Sequence, residues 1–250
     1  MPSRKIRRVL FDGDVMLYEA AFPTSYITHW GDDWWSYAGD AKQCRELYAN
    51  LIEKVTKKFK TDEYLVAFTG PGESFRKKLY PEYKFSRRAD RKPPHYAALR
   101  DELCDNVVGF REPFLEADDL LGIWMTGDDQ MDQVCVSIDK DMKTIPGWHY
   151  DYTKDDFVFI DRDTANLKLF TQVLTGDRVD DYPGCPGIGP KTAEKYLKLG
   201  MSREELWDTV VKLYEKAGLT KEYAESQLNC AYILQAHDYN FITKEIKSAR

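Results

Sequence analysis

The sequence predicts an α/β fold: a central, mostly parallel sheet flanked by helices. Two observations carry this expectation. Short runs of strand length and apolar character, IRRVLF (6–11), YLVAF (64–68) and QVCVSI (133–138), are separated by long stretches with helical periodicity. Carboxylates follow two of these runs directly, as Asp12-Gly13-Asp14 and as Asp139-Lys140-Asp141. Carboxyl ends of strands are where open α/β sheets bind ligands.

At 250 residues the chain is long enough for one large domain or two small ones, and 43% apolar content supports a substantial core. The cysteines at 44, 104, 135, 185 and 230 are scattered and lack metal-ligand spacing, so reduced thiols in a cytosolic protein are expected. No apolar run approaches membrane-spanning length, and Arg4, Lys5, Arg7 and Arg8 precede only a short strand, so neither a membrane anchor nor a signal peptide is expected. The net charge of −6 argues against a nucleic-acid partner, but its distribution argues the other way. Between residues 76 and 92 lie Arg76, Lys77, Lys78, Lys84, Arg87, Arg88, Arg91 and Lys92 against Glu82 and Asp90. A basic segment in an acidic protein suits an enzyme that holds phosphates in one place and metal in another.

In chain order, the first strand ends at Asp12, and Asp14 is placed to cap the helix suggested by Leu17 and Ala20. THWGDDWWSY (28–37) reads as an aromatic loop. Residues 40–60 form the clearest amphipathic helix, with Cys44, Leu47, Tyr48, Leu51, Ile52, Val55 and Phe59 on one stripe. The strand at 64–68 is broken by Thr69-Gly70-Pro71-Gly72. FRKKLYPEYKFSRR (75–88) interleaves aromatics with cations, which offers stacking faces together with phosphate charge. A helix follows from Pro93 to Cys104, then a strand near Val107 to Phe110.

FLEADDLLGIWM (114–125) places Glu116, Asp118 and Asp119 in an otherwise apolar helix, with Glu116 and Asp119 on one face. Such carboxylates repel by roughly 1–4 kcal/mol per close pair at a protein-surface dielectric, a cost that a divalent cation removes. Asp139 and Asp141 follow the next strand, and Tyr150 to Ile160 reads as a small β excursion. Leu169, Phe170, Val173 and Leu174 mark an amphipathic helix ending at Gly176, after which Asp177 and Asp180 stand three apart. GCPGIGPKT then opens another helix at Pro190. Free amides at its start, with Gly187 and Gly189 allowing close approach, would suit a phosphate. It is not a P-loop, because Pro190 stands where a glycine must precede Lys-Thr. Two amphipathic helices follow, to about Gln235.

These motifs together resemble the 5′-nuclease family: phage 5′→3′ exonucleases, flap endonucleases and the 5′-nuclease domain of bacterial DNA polymerase I. The matching elements are Phe75-Arg76…Pro81-x-Tyr83-Lys84-x-x-Arg87, Glu116-Ala117-Asp118-Asp119, Ser137-x-Asp139-x-Asp141, Gly176-Asp177-x-x-Asp180 and Gly187-Ile188-Gly189, within about residues 6–200. The resemblance implies a nuclease core at 1–165 with a helical arch at about 73–105. It also implies a helix–three-turn–helix DNA-binding subdomain and C-terminal helices at 166–250. It implies two metal clusters, Asp12, Glu116, Asp118 and Asp119 in the first and Asp139, Asp141, Asp177 and Asp180 in the second. All-oxygen ligation suits Mg²⁺, with Mn²⁺ able to substitute, and K⁺ is a candidate at the hairpin. Two such ions can activate water and stabilise the leaving oxygen. Catalysis is expected from Asp12, Glu116, Asp118, Asp119, Asp139, Asp141, Lys84 and Arg87. DNA contacts are expected from Arg76, Tyr83 as a stacking residue, Lys84, Arg87, Arg88, Gly187, Gly189, Lys191 and Thr192. The implied partner is DNA with a 5′ flap, a 5′-ended duplex or a single-strand/duplex junction, acted on by a cytoplasmic monomer.

One departure stands out: the family usually has an aspartate after the second strand, where this chain has Thr69. Asp12-Gly13-Asp14 with Thr69 also resembles the start of a haloacid-dehalogenase-type phosphatase. That alternative leaves the basic signature and the hairpin unexplained. A non-catalytic DNA-junction binder is the other alternative, and it has no use for eight inward carboxylates.

Overall fold

Val9, Leu10 and Phe11 are fully buried on both faces of β1 (Arg8–Asp12), because this strand is central in a six-stranded sheet. Parallel sheets covered on both sides read as continuous apolar runs for this reason. The computed structural model describes residues 5–89, 92–106, 109–127 and 132–247. β4 (Glu63–Ala67) pairs with one edge of β1 and β6 (Gln133–Val136) with the other, both in parallel. β5 (Gly109–Phe110) continues the sheet beyond β4, and β7 (Gly147–Asp151) continues it beyond β6. β8 (Asp156–Ile160) closes the second edge antiparallel to β7. The order is therefore β5-β4-β1-β6-β7-β8, and the chain reverses its direction of travel across the sheet beside β1. Ligands of open α/β sheets bind at such a reversal, at the carboxyl ends of the strands. The stretch expected as a small β excursion near 150–160 thus belongs to the main sheet.

Strand alternation sorts the core. Val9 and Phe11 face α1 (Gly13–Ala21), α2 (Ala41–Phe59) and the helix at Tyr96–Asn106, packing with Leu17, Tyr48, Val55 and Leu99. Leu10 faces the other layer, formed by the helices at Ala117–Met125, Arg162–Thr175, Arg203–Lys216 and Lys221–Ala231. There it joins Leu120, Leu169, Val173, Leu213 and Leu228 in one cluster. Burying each such side chain contributes about 1.5–3 kcal/mol. This second cluster draws side chains from both sides of residue 165, Leu10, Leu120 and Ile145 on one side and Leu169, Leu213 and Leu228 on the other.

One local expectation is corrected. The aromatic segment expected as a loop is a two-stranded hairpin, β2 (Ser25–Gly31) and β3 (Trp34–Gly39), turned by Gly31, Asp32 and Asp33 at positive φ. Its Trp, Tyr and Ile side chains favour strand, and Tyr26, Ile27, Trp30, Trp34 and Trp35 are exposed, so no apolar-in, polar-out alternation announces it. The segment 73–105 is not a continuous helix. It consists of the single turn α3 (Arg76–Leu79), a chain of turns, a 3₁₀ turn at Ser86–Ala89 and α4 (Tyr96–Asn106). Pro81 and the positive φ of Lys84 interrupt it. Val107, Arg91 and the side chain of Arg88 lie outside the described residues.

The remaining elements are α5 (Ala117–Met125), α6 (Arg162–Thr175), α7 (Pro190–Tyr196), α8 (Arg203–Lys216), α9 (Lys221–Ala231) and a short pair, β9 (Tyr239–Asn240) with β10 (Glu245–Ile246). No described helix is long and apolar enough to cross a membrane.

Candidate metal centre and nucleic-acid interface

A cleft of about 720 Å³ opens at the carboxyl ends of β1, β4 and β6. Its lining brings together Asp12, Asp14, Thr69, Lys84, Arg87, Glu116, Asp118 and Asp139, and contains neither His nor Cys. Asp12 is buried at the end of β1, where it, and not Asp14, caps α1 by accepting the Val15 amide at 3.2 Å. Its second oxygen accepts the Ser137 hydroxyl at 2.8 Å. Burial, with Asp14 beside it, pushes the Asp12 carboxyl up from 3.8 to about 7.

Glu116, Asp118 and Asp119 cluster because all three stand at the start of α5. Each offers an oxygen within 4.8 Å of the others, the one such group among the described residues. The positive end of the helix favours carboxylates there. Their environments differ sharply. Burial, together with the charges of Asp119 and Glu116, drives the Asp118 carboxyl well above its ordinary value, because its ionised form is disfavoured there until a cation offsets the charge. Burial would raise Glu116 as well, but Lys84 and Arg76 outweigh it and hold the carboxyl at about 2.

Asp119 is wholly buried. Its oxygens accept two bonds from Arg76 at 2.8 and 2.6 Å, the Glu116 amide at 3.1 Å and the Leu234 amide at 3.1 Å. Of the first-cluster carboxylates it is therefore the one that fixes the others in place.

The second set is looser. Asp139 lines the cleft and accepts the Asp141 amide at 2.8 Å. Asp141 is pushed up to about 6 by burial and by Asp139. Asp177 accepts Lys140 Nζ at 3.0 Å and the Val179 amide at 2.7 Å, and these outweigh its burial to lower it. Asp180 accepts Arg87 at 2.7 Å with Lys84 Nζ at 3.7 Å, yet burial still raises it. Asp177 and Asp180 reach this place because Gly176 ends α6 at φ 68°, a conformation that favours glycine, and turns the chain back.

The basic segment meets these carboxylates from above, though not as one helical face. Lys84 sits at φ 52° and pairs with Glu116 and Asp180, while Arg87 pairs with Asp180. Two expected DNA contacts are corrected. Arg76 is 1% exposed and reaches inward to Glu116, Asp119 and the Tyr232 carbonyl. Tyr83 is equally buried, its hydroxyl donating to Glu116 at 3.1 Å, so its ring offers no stacking face. Both are apolar-stemmed groups enclosed by the core, and they support the carboxylates from behind.

In the hairpin, Gly187 adopts φ 77° and Gly189 caps α7 with Pro190 in its first turn. No atom lies within 4 Å of where a Cβ would stand at Gly187 or Gly189, so the backbone there is open to a large ligand. Ile188 packs against the core, whereas Lys191 is exposed and Thr192 half-buried beside it.

No family model matches the chain. It is 29% identical to the exonuclease of Escherichia phage T7 and 28% identical to the exodeoxyribonuclease of Enterobacteria phage T3, in each case over 95% of this chain and 91% of the relative. Among solved structures it is similar to the T5 D15 protein co-crystallised with metal ions, with a TM-score of 0.63 at 17% identity over 89% of this chain and 87% of that one. The chain is thus similar over nearly its whole length to two phage exonucleases. The T5 likeness shows the shared α/β fold, and the phage relatives match nearly end to end.

Likeness to phage exonucleases over 95% of the chain weighs against the phosphatase alternative. Thr69, central to that alternative, is used structurally: its hydroxyl accepts the Ala117 amide at 3.2 Å and its amide donates to Asp14 at 2.8 Å. Sequence reasoning missed Asp14, Thr69, Tyr96 and Lys140 as cleft or cluster residues. For Asp14 the signal was present, since it follows Asp12 by two residues at the start of a helix.

Proposed function

We propose that this chain is a metal-dependent, structure-specific 5′→3′ exonuclease and flap endonuclease, hydrolysing DNA phosphodiester bonds near 5′ ends and at single-strand/duplex junctions. The observation that carries the reading is one cleft in which the carboxylates of α5 and of the β1 and β6 ends face Lys84 and Arg87. The carboxylates fit hard divalent cations: they are all oxygen donors, and Asp12, Asp118 and Asp141 are strained upward by burial and mutual repulsion. Mg²⁺ is the proposed ion, with Mn²⁺ as substitute. When bound, two such ions supply water activation and offset charge on the phosphate and leaving oxygen.

The chain's own residues do the rest. Asp12, Glu116 and Asp118 hold the first cluster, with Ser137 orienting Asp12 and Asp119 fixing the start of α5. Asp139, Asp141, Asp177 and Asp180 hold the second. Lys84 and Arg87 exchange their present carboxylate partners for the scissile phosphate, drawing an anion into a cleft whose floor repels it. Residues 166–250 grip the duplex, with Gly187 and Gly189 admitting the phosphate backbone and Lys191 and Thr192 contacting it. A cytosolic monomer fits this role.

Digestion of an end-labelled 5′-flap duplex, with Mg²⁺ and with chelator, tests the reading against a phosphomonoester control. Junction cleavage that requires Mg²⁺ and spares the monoester is expected. Monoester turnover alone, or tight binding without cutting, would overturn it.

A further inference from the structure

Three carboxylates that no motif claims line the cleft, Asp14, Glu19 and Glu73, and Asp14 is the one that stands two residues from Asp12. Asp14 stands one helical position beyond Gly13, half-buried, and lines the same cleft as Asp12, Asp118 and Asp139. Two donors fix its direction: the Thr69 amide at 2.8 Å on Oδ2 and the Tyr96 hydroxyl at 2.7 Å on Oδ1. An ionised carboxylate has about four acceptor positions, so roughly two remain for a cation or its water.

Thr69 sits at the end of β4, where a side-chain carboxylate is lacking. Its amide and its hydroxyl have different partners. The amide holds Asp14, while the hydroxyl receives the Ala117 amide, between Glu116 and Asp118. One residue thereby links the Asp14 carboxylate to the start of α5. Asp14 also follows Asp12 by two residues and lines the same cleft, so one cation could be reached by both carboxylates.

Resting on the metallonuclease reading above, we propose that Asp14 is a first-cluster metal carboxylate, supplying from α1 the charge that position 69 lacks. The competing role is mechanical: through Tyr96, Asp14 would merely fasten α4 to the sheet. The two roles separate cleanly, because the mechanical one depends on the Tyr96 hydroxyl and the electrostatic one does not.

The test is Mn²⁺ binding to the full chain, followed by paramagnetic resonance of the free ion, for wild type, Asp14→Asn, Tyr96→Phe and Asp14→Asn with Thr69→Asp. Near-ultraviolet dichroism checks that each is folded. Asp14→Asn should weaken Mn²⁺ binding about 10–100-fold, as losses around metal sites do. Tyr96→Phe should leave binding near wild type, and Thr69→Asp should recover most of the loss. Wild-type affinity in Asp14→Asn overturns the inference. So does an equal loss in Tyr96→Phe, or failure of Thr69→Asp to restore binding. Absence of Mn²⁺ binding in the wild type removes the metallonuclease reading itself, and the inference with it.

Discussion

Replacing Arg76 with Met distinguishes a buried support from a surface phosphate contact. The guanidinium donates to Asp119 at 2.8 and 2.6 Å, to Glu116 at 2.8 Å and to the Tyr232 carbonyl at 2.7 Å. Met retains much of the stem's packing but removes every one of these bonds. Asp119, with no exposure, then keeps only two amide donors for a full charge. Breaking a buried pair by removing one partner costs about 3–5 kcal/mol. At this chain length each kcal/mol lowers the midpoint by about 2–4 °C, so a fall of roughly 6–20 °C is expected in thermal melts. Adding Asp119→Leu should recover part of it, since the stranded charge is then gone. A loss under about 1 kcal/mol would refute the buried role, above all if the salt dependence of DNA affinity fell by one phosphate's worth, ~0.9 in slope.

Three further outcomes are expected. Lys84→Ala and Arg87→Ala should each slow single-turnover cleavage by about two orders of magnitude while binding weakens far less, since the hairpin holds the duplex separately; equal loss of affinity with normal cleavage at saturation would reduce them to an electrostatic patch. Without metal, melting temperature should fall from pH 5 to pH 8. Asp12, raised from 3.8 to about 7, keeps a proton in the fold that the unfolded chain has released, so stability declines between those values by on the order of 4 kcal/mol, and Asp141, at about 6, acts in the same direction. Mg²⁺ at pH 8 should restore the midpoint, and a metal-free midpoint that climbs with pH would contradict the assignment. Gly189→Val should leave stability almost unchanged, because its Cβ meets nothing, but should impair duplex binding; Lys191→Ala should lower the salt slope by ~0.9. Normal duplex affinity in both would return the hairpin to a packing role.

The sequence revealed the sheet and its acidic floor because both depend on local pattern. Continuous apolar runs marked the buried parallel strands, and Asp12, Asp139 and the α5 carboxylates followed directly from strand ends and helical spacing. Polar burial was hidden, since it depends on distant partners. Arg76 looked like its basic neighbours, yet its partners lie 43 and 156 residues away, at Asp119 and Tyr232. Tyr83 was concealed in the same manner by Glu116, 33 residues on. The arch did not form as one helix because Pro81 and the left-handed Lys84 break it, and the cations still reach the carboxylates through turns. The β2–β3 hairpin escaped because both of its faces are exposed, which removes the alternation that betrays a strand. Asp14 escaped because its neighbour Asp12 performs the capping that seemed to explain it.

The central claim is that the two carboxylate sets serve cleavage and not DNA affinity. The most direct measurement is flap binding and Mg²⁺-dependent cleavage by Asp139→Asn with Asp141→Asn. The account predicts that cutting is abolished while the flap duplex binds as tightly as to wild type, or slightly more tightly with two negative charges removed. Undiminished cleavage by that double variant would contradict it.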